Sequence, residues 1–339
     1  MKNVKRFLVL FCSLILSLGM IGCTKDKNIE PNNEVKGEVS KSEDSHYPVT
    51  ITTYNYQKEP VEVTFNKAPE KVVAIYQNSI EIMLALGLED KIVACAGLDH
   101  KVDEQYEEAF NKLNYLEDFT PSKESIIMQK PDFILGWVSL FDEKRLGDVD
   151  YWHKNNTNTY ISLNSGIKEN RTIENEIEDI LNLGKIFNVE DKAQQIVDEI
   201  NKKIESVSKD MKHENKQSTL ILEFMDEQIY TYGETSLGGD MVNKLGAKLL
   251  NPSGGNIGKE DLIKLNPESI FVVYMDRGEE SIKEKEINKI LKNKAFSSLD
   301  AVKNNRVYAI PLGEMYSSGI RTINGINTFS EGLYQDINN

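Results

Sequence analysis

The chain is poor in the residues that most often build reactive centres. Of its 339 residues, three are cysteine, four histidine and two tryptophan. Cys12 lies in an apolar run near the start and Cys23 directly behind it, which leaves Cys95 alone in the body. An internal disulfide is therefore excluded, although an oxidising compartment would permit one. Cys95 sits in Lys-Ile-Val-Ala-Cys-Ala-Gly, an apolar strand pattern that reads as a packed core thiol. The histidines are His46, His100, His153 and His213. A bare transition-metal site built on three of them is not available: His46 falls at the edge of a polar segment and His213 at the end of a long helix. Positive charge is short as well, with 40 Lys and Arg against 54 Asp and Glu and a formal net charge of −14. That balance argues against a nucleic-acid binder and against broad adhesion to anionic lipid, while leaving room for a local basic pocket.

Enzyme signatures are missing too. Glu234-Thr235-Ser236-Leu237-Gly238 is not a Gly-x-Ser-x-Gly elbow. Gly254-Gly255-Asn256-Ile257-Gly258-Lys259-Glu260 imitates a phosphate loop, but its spacing is wrong and Glu follows Lys where Ser or Thr is required. No catalytic residue is nominated.

Met1 to Arg6 carries three positive charges, followed by the apolar run Phe7–Gly22. That run is too short for a comfortable membrane span and fits a signal-peptide core. It ends Met20-Ile21-Gly22-Cys23, which resembles the bacterial lipobox, in which the Cys is diacylated and becomes the new N-terminus. Residues 1–22 are thus expected to be a lipoprotein signal, and residues 23–46 the lipidated Cys23 with a flexible polar tether. Such a protein works outside the cytoplasm, held to the cell membrane.

The body repeats a phrase. Glu124-Ser-Ile-Ile-Met-Gln-Lys-Pro131-Asp-Phe-Ile-Leu-Gly-Trp137 is echoed by Glu260-Asp-Leu-Ile-Lys-Leu-Asn-Pro267-Glu-Ser-Ile-Phe-Val-Val-Tyr274. In each, Glu opens an apolar helical turn, Pro breaks it and a buried-strand run follows. Further strands are expected at Lys71–Tyr76, Lys91–Ala96 and Thr219–Phe224, with an N-terminal hairpin over Val49–Tyr56 and Val61–Phe65. Helices are expected at Ile80–Leu86, closed by Gly87, and at Leu237–Leu245. Apolar residues at helical spacing from Asp191 to about His213 predict one long amphipathic helix between the two halves. The fold class is α/β: two Rossmann-like lobes with largely parallel sheets, joined by one long rigid helix, with a ligand cleft between the lobes. The boundaries are 47–185 for the first lobe, 186–215 for the connecting helix and 216–339 for the second lobe.

Ligands of parallel sheets bind outside the carboxyl ends of the strands. That rule nominates Tyr76, Gln77, Asn78, Asp99 and Trp137 in the first lobe, and Tyr232, Tyr274 and Arg277 in the second. Trp152 is also expected on the cleft side.

Lys67-Ala-Pro-Glu-Lys-Val-Val-Ala-Ile75, Glu81-Ile-Met-Leu-Ala-Leu-Gly87, Pro121-Ser-Lys-Glu124, Lys130-Pro-Asp132, Lys259-Glu-Asp-Leu262, Asn266-Pro267 and Asn305-Arg-Val-Tyr308 occur in order over residues 47–336. In this the chain resembles the cluster III substrate-binding lipoproteins of ABC importers, receptors for ferric siderophores, haem and cobalamin. The resemblance implies that Glu124 and Glu260, one per lobe, dock on the permease. It also brings the loop Leu312–Arg321 to the cleft, adding Met315, Tyr316 and Arg321, the last as an anion clamp. It implies a permease and a separate ATPase subunit as partners, a monomer, no direct metal ligands and no resident cofactor. The cargo expected is a chelated iron complex, a ferric siderophore first. A corrinoid or haem receptor is the alternative within the class, with Tyr232, Tyr274, Met315 or Tyr316 as possible haem ligands. An exported chelate-processing enzyme is the alternative outside it.

Overall fold

The computed structural model describes residues 46–209, 216–275, 279 and 281–334. The signal segment, Cys23 and the tether short of His46 lie outside the described residues, as do residues 210–215 and Arg277. The described residues, from His46 on, fall in one compact unit.

An antiparallel hairpin of β1 (Val49–Tyr54) and β2 (Pro60–Phe65) opens the body. Behind it β3 (Val72–Ile75), β4 (Ile92–Ala96), β5 (Phe133–Gly136) and β6 (Asn158–Ile161) form an all-parallel sheet in the order β4-β3-β5-β6. The second sheet contains β7 (Ser218–Met225), β8 (Gln228–Thr231), β9 (Lys248–Leu249), β10 (Gly255–Ile257), β11 (Ser269–Tyr274) and β12 (Val307–Pro311). Its order is β10-β8-β7-β11-β12, with β9 beside β7. β7, β9, β11 and β12 run parallel, while β8 and β10 run antiparallel. The phosphate-loop mimic therefore contains a short edge strand.

Side chains alternate faces along a strand, and the cores follow that period. Val72 and Ala74 of β3 enter the central core, whereas Val73 and Ile75 enter the outer core of the first lobe. In β11, Phe271 and Val273 face the central core, and Ile270 and Val272 the outer core of the second lobe. The central core is continuous from one sheet to the other. Ala193, Val197 and Ile200 of the helix Glu190–Lys209 join it, and that helix packs on a preceding one, Ile173–Phe187. The two are separated by Asn188 at φ 56°, a left-handed stop. The long connecting helix expected from Asp191 is thus present as the single helix Glu190–Lys209, with the preceding helix packed beside it.

The repeated phrase folds the same way twice. Helices Lys123–Gln129 and Lys259–Leu265 anchor through Ile126 and Leu262, both fully buried, each contributing about 1.5–3 kcal/mol. Each stops at a left-handed residue, Lys130 at φ 51° and Asn266 at φ 41°. The acidic residue after each proline then fastens the start of the neighbouring strand. Asp132 accepts from the Lys71 amide at 2.8 Å, and Glu268 from the Ser218 amide at 2.6 Å.

Candidate functional site

The carboxyl ends of β3, β5, β6 and β12 converge. β3 is followed at once by Tyr76, whose backbone sits at φ 76° and ψ 156°. That region is costly for a side-chain-bearing residue, about 1–3 kcal/mol, and is held here by several contacts. The Tyr76 amide donates to Ala96 O at 2.8 Å, and its ring packs beside Phe119 and Trp137. Gly97, at φ 84°, allows the approach: a Cβ there would stand 2.7 Å from Tyr76 Cδ1. The helix Gln77–Ala85 begins immediately after Tyr76. Gln77 and Asn78, expected on a loop, instead lie in its buried first turn.

Trp137 follows β5, and its Nε1 donates to Asn78 Oδ1 at 2.7 Å. Asn78 Nδ2 donates to Ser162 Oγ at 3.1 Å and to Ser317 Oγ at 3.2 Å, the latter on the loop after β12. Tyr316 on that loop comes within 5.9 Å of Trp137, ring centroid to centroid. Arg171 stacks on Tyr316 at 4.3 Å, donates to its hydroxyl at 2.9 Å and is held by Asn164 O at 2.8 Å. The result is a row of π-surfaces, Phe119, Tyr76, Trp137, Tyr316 and the Arg171 guanidinium, that crosses from one lobe to the other. Trp137, Tyr316 and Arg171 are half-buried.

At the Tyr76 end stands a second guanidinium. Arg145 Nη1 donates to Tyr76 Oη at 3.3 Å and to Ser139 Oγ at 3.4 Å, long hydrogen bonds to two hydroxyls. Arg145 also lines a pocket of about 640 Å³ with Tyr56, Lys58, Val138, Ser139, Asp142 and Lys144. The backbone amide of Lys144, the Tyr56 hydroxyl and the nearby cations hold the Asp142 carboxyl below the usual range. The rim at this end is therefore mainly cationic. Sequence reasoning nominated neither Arg145 nor Arg171, because each lies on a connection distant from the strand ends.

Other nominated residues are placed differently. Arg321 is buried, its Nε 2.6 Å and Nη2 2.7 Å from the two oxygens of Glu81, with a further bond to Lys101 O at 2.7 Å. Burial opposes its charge, but the Glu81 carboxylate more than offsets this and its pKa is raised. Its guanidinium locks the C-terminal segment to the first lobe rather than opening to the cleft as a clamp. Gln77 Nε2 donates to the same Glu81 at 2.8 Å, and His100 Nε2 accepts from the Gly313 amide at 3.0 Å. Met315 is fully buried, packed against Gly238. The Tyr232 hydroxyl is given to Glu223 at 2.5 Å; burial and that carboxylate push its pKa far up. Tyr274, at the end of β11, and Asp99, after β4, are each half-buried. Trp152 sits in the outer core of the first lobe at 2% exposure, donating to Leu146 O. That placement corrects the expectation of a second cleft tryptophan. Glu124 and Glu260 are both exposed on their helices.

Among the described residues no group of three or more His, Cys, Asp or Glu could hold a metal ion, and no helix is long and apolar enough to cross a membrane. What the arrangement can do is stack a flat ligand and pair its negative charge at either end.

A family model described as periplasmic binding protein matches residues 72–312. The ABC transporter substrate-binding lipoprotein YvrC of Bacillus subtilis is 27% identical over 309 residues, covering 89% of this chain and 90% of that one. The petrobactin-binding protein YclQ of the same organism is 24% identical over 325 residues, covering 93% and 94%. The crystal structure of a periplasmic binding protein from Veillonella parvula superposes with a TM-score of 0.81 at 34% identity, over 86% of this chain and 93% of the other.

Proposed function

The chain belongs to the periplasmic binding protein family, as the substrate-binding component of an ABC transporter, and we propose that it captures an anionic ferric chelate of the siderophore type. The observation that carries this reading is the aromatic row spanning both lobes, with Arg145 at one end and Arg171 at the other. Ferric siderophores are commonly anionic and carry flat aromatic or amide donors. A row of π-faces holds such donors, and a guanidinium at each end pairs the charge. Binding of petrobactin by the relative YclQ supports the same class of cargo.

The metal is cargo and enters inside its chelator, because the row offers hydrogen-bond donors and π-faces rather than a set of metal ligands. Lipidation of Cys23 would tether the receptor to the outer face of the cell membrane, in keeping with the lipoprotein name of YvrC. Glu124 and Glu260 would then meet the permease, while a separate subunit hydrolyses ATP.

The test is a tryptophan-fluorescence titration against ferric catecholate, hydroxamate and citrate complexes, haem, cobalamin, and free Zn²⁺ and Mn²⁺. Saturable sub-micromolar quenching by one anionic ferric class is the expected result. Saturation by haem or cobalamin alone would move the cargo to another member of the class, and saturation by bare metal alone would overturn the chelate reading.

A further inference from the structure

Most recurring positions of the internal repeat have work inside the fold. Ile126 and Leu262 are buried anchors, Lys130 and Asn266 stop the helices, and Asp132 and Glu268 fasten the neighbouring strand. Three further positions are identical in both lobes and not buried: Lys123 and Lys259, Glu124 and Glu260, Ile127 and Ile263. Lys123 is engaged within the first lobe, its Nζ 3.3 Å from the centre of the Tyr151 ring, which leaves the Glu and Ile pairs. The isoleucines are the least expected of these. A solvent-facing position on a short helix gives no reason for a β-branched apolar side chain, whose helix propensity is below that of Lys, Glu or Gln. Yet Ile127 is 43% exposed and Ile263 36%. Each stands three residues after its Glu, so the two side chains share one helix face. Among the described residues neither Glu124 nor Glu260 forms an ion pair.

We infer that Ile127 and Ile263 are apolar anchors of a two-part docking face, one part per lobe, each beside its exposed Glu. The occupant is the outward surface of the importer's permease, presenting a basic group and an apolar socket to each lobe. Charge favours this partner, since the chain carries a net −14 and, among the described residues, neither carboxylate has a cationic partner of its own. Recurrence fixes the geometry: two lobes offering the same Glu-x-x-Ile face fit a partner that repeats its own surface twice. The inference rests on reading the chain as an importer component with Glu124 and Glu260 in the contact. Met128 is 72% exposed but is answered by Lys264 in the other lobe, so it lies outside the repeated face.

The test measures binding of the full lipoprotein to its permease–ATPase complex in nanodiscs. Ile127→Ser combined with Ile263→Ser should weaken binding about tenfold or more, each single variant losing a similar share. Met128→Ser should stay within about twofold of the native protein. Unchanged thermal unfolding confirms that the variants fold, as their exposure leads one to expect. Native affinity in the double Ile variant, with loss in Glu124→Lys/Glu260→Lys, would overturn the apolar anchors and leave the carboxylates standing. Native affinity in both would remove this face from docking altogether. An equal loss from Met128→Ser would show general stickiness and also overturn the inference.

Discussion

At the scale of the residue, the two arginines decide what the site can hold. Each guanidinium would pair with an anionic cargo through a charge-assisted hydrogen bond, typically about 1.5–3 kcal/mol. Arg145→Ala and Arg171→Ala are therefore each expected to raise the Kd for an anionic ferric chelate roughly ten- to a hundredfold, measured by fluorescence titration, with little change for a neutral one. Trp137→Phe should abolish the quenching signal, whereas Trp152, sealed in the outer core, should contribute none of it. The sequence pointed to Tyr76, Asn78 and Trp137 because each lies at or just beyond a strand end, and strand ends can be read from apolar runs; Tyr316 came only from the family resemblance. Arg145 and Arg171 could not be read that way: nothing local to them says that their chains fold back onto Tyr76 and Tyr316. Arg321 looked like a clamp for the converse reason, since its partner Glu81 is 240 residues away in sequence.

At the scale of the element, the repeat was legible because helix, break and strand each leave a compositional mark. The left-handed stop was not, because Lys130 is not a residue that announces positive φ. Lys130→Gly is expected to stabilise the protein by about 1 kcal/mol in urea unfolding, and Asn266→Gly by less, because Asn tolerates that conformation better. The start of the helix at Gln77 was also hidden, since Tyr76 turns through a conformation that its sequence does not signal. Arg321 joins two elements that no local pattern connects. Replacing it with Met leaves Glu81 as an uncompensated buried charge, and a loss of roughly 3–5 kcal/mol is expected in the same unfolding assay. A loss well below 1 kcal/mol would show that the pair holds nothing together.

At the scale of the molecule, one core runs through both sheets and the helical connector, so the lobes are not separable bodies. Buried charge at their junction also sets a pH dependence. Glu176 is fully buried, accepting from Gly319 N at 2.7 Å, Ser318 N at 3.1 Å and Asn164 Nδ2 at 2.6 Å. Burial raises its carboxyl above the ordinary value of 4.5 despite those donors. A carboxyl with a raised folded pKa binds its proton more tightly in the folded state. Its contribution is therefore fully present below the unfolded value and is lost as pH rises through the folded one. The stability of Glu176→Gln relative to the native protein should accordingly rise as pH increases above the ordinary carboxyl value of 4.5. Denaturation midpoints of the two proteins across that range check the sign, and a gain on acidification instead would contradict it. α/β class and paired lobes were readable from alternation and period alone, but continuity of the core and the cross-lobe row required long-range contacts.

The most direct measurement of the proposed role is equilibrium binding of one anionic chelator, with and without its iron, alongside analysis of the recovered ligand. Sub-micromolar binding of the ferric complex, markedly weaker binding of the iron-free form and recovery of the complex intact are expected of a receptor. Binding of neither form with saturable uptake of bare metal, or recovery of a chemically altered chelator, would contradict it.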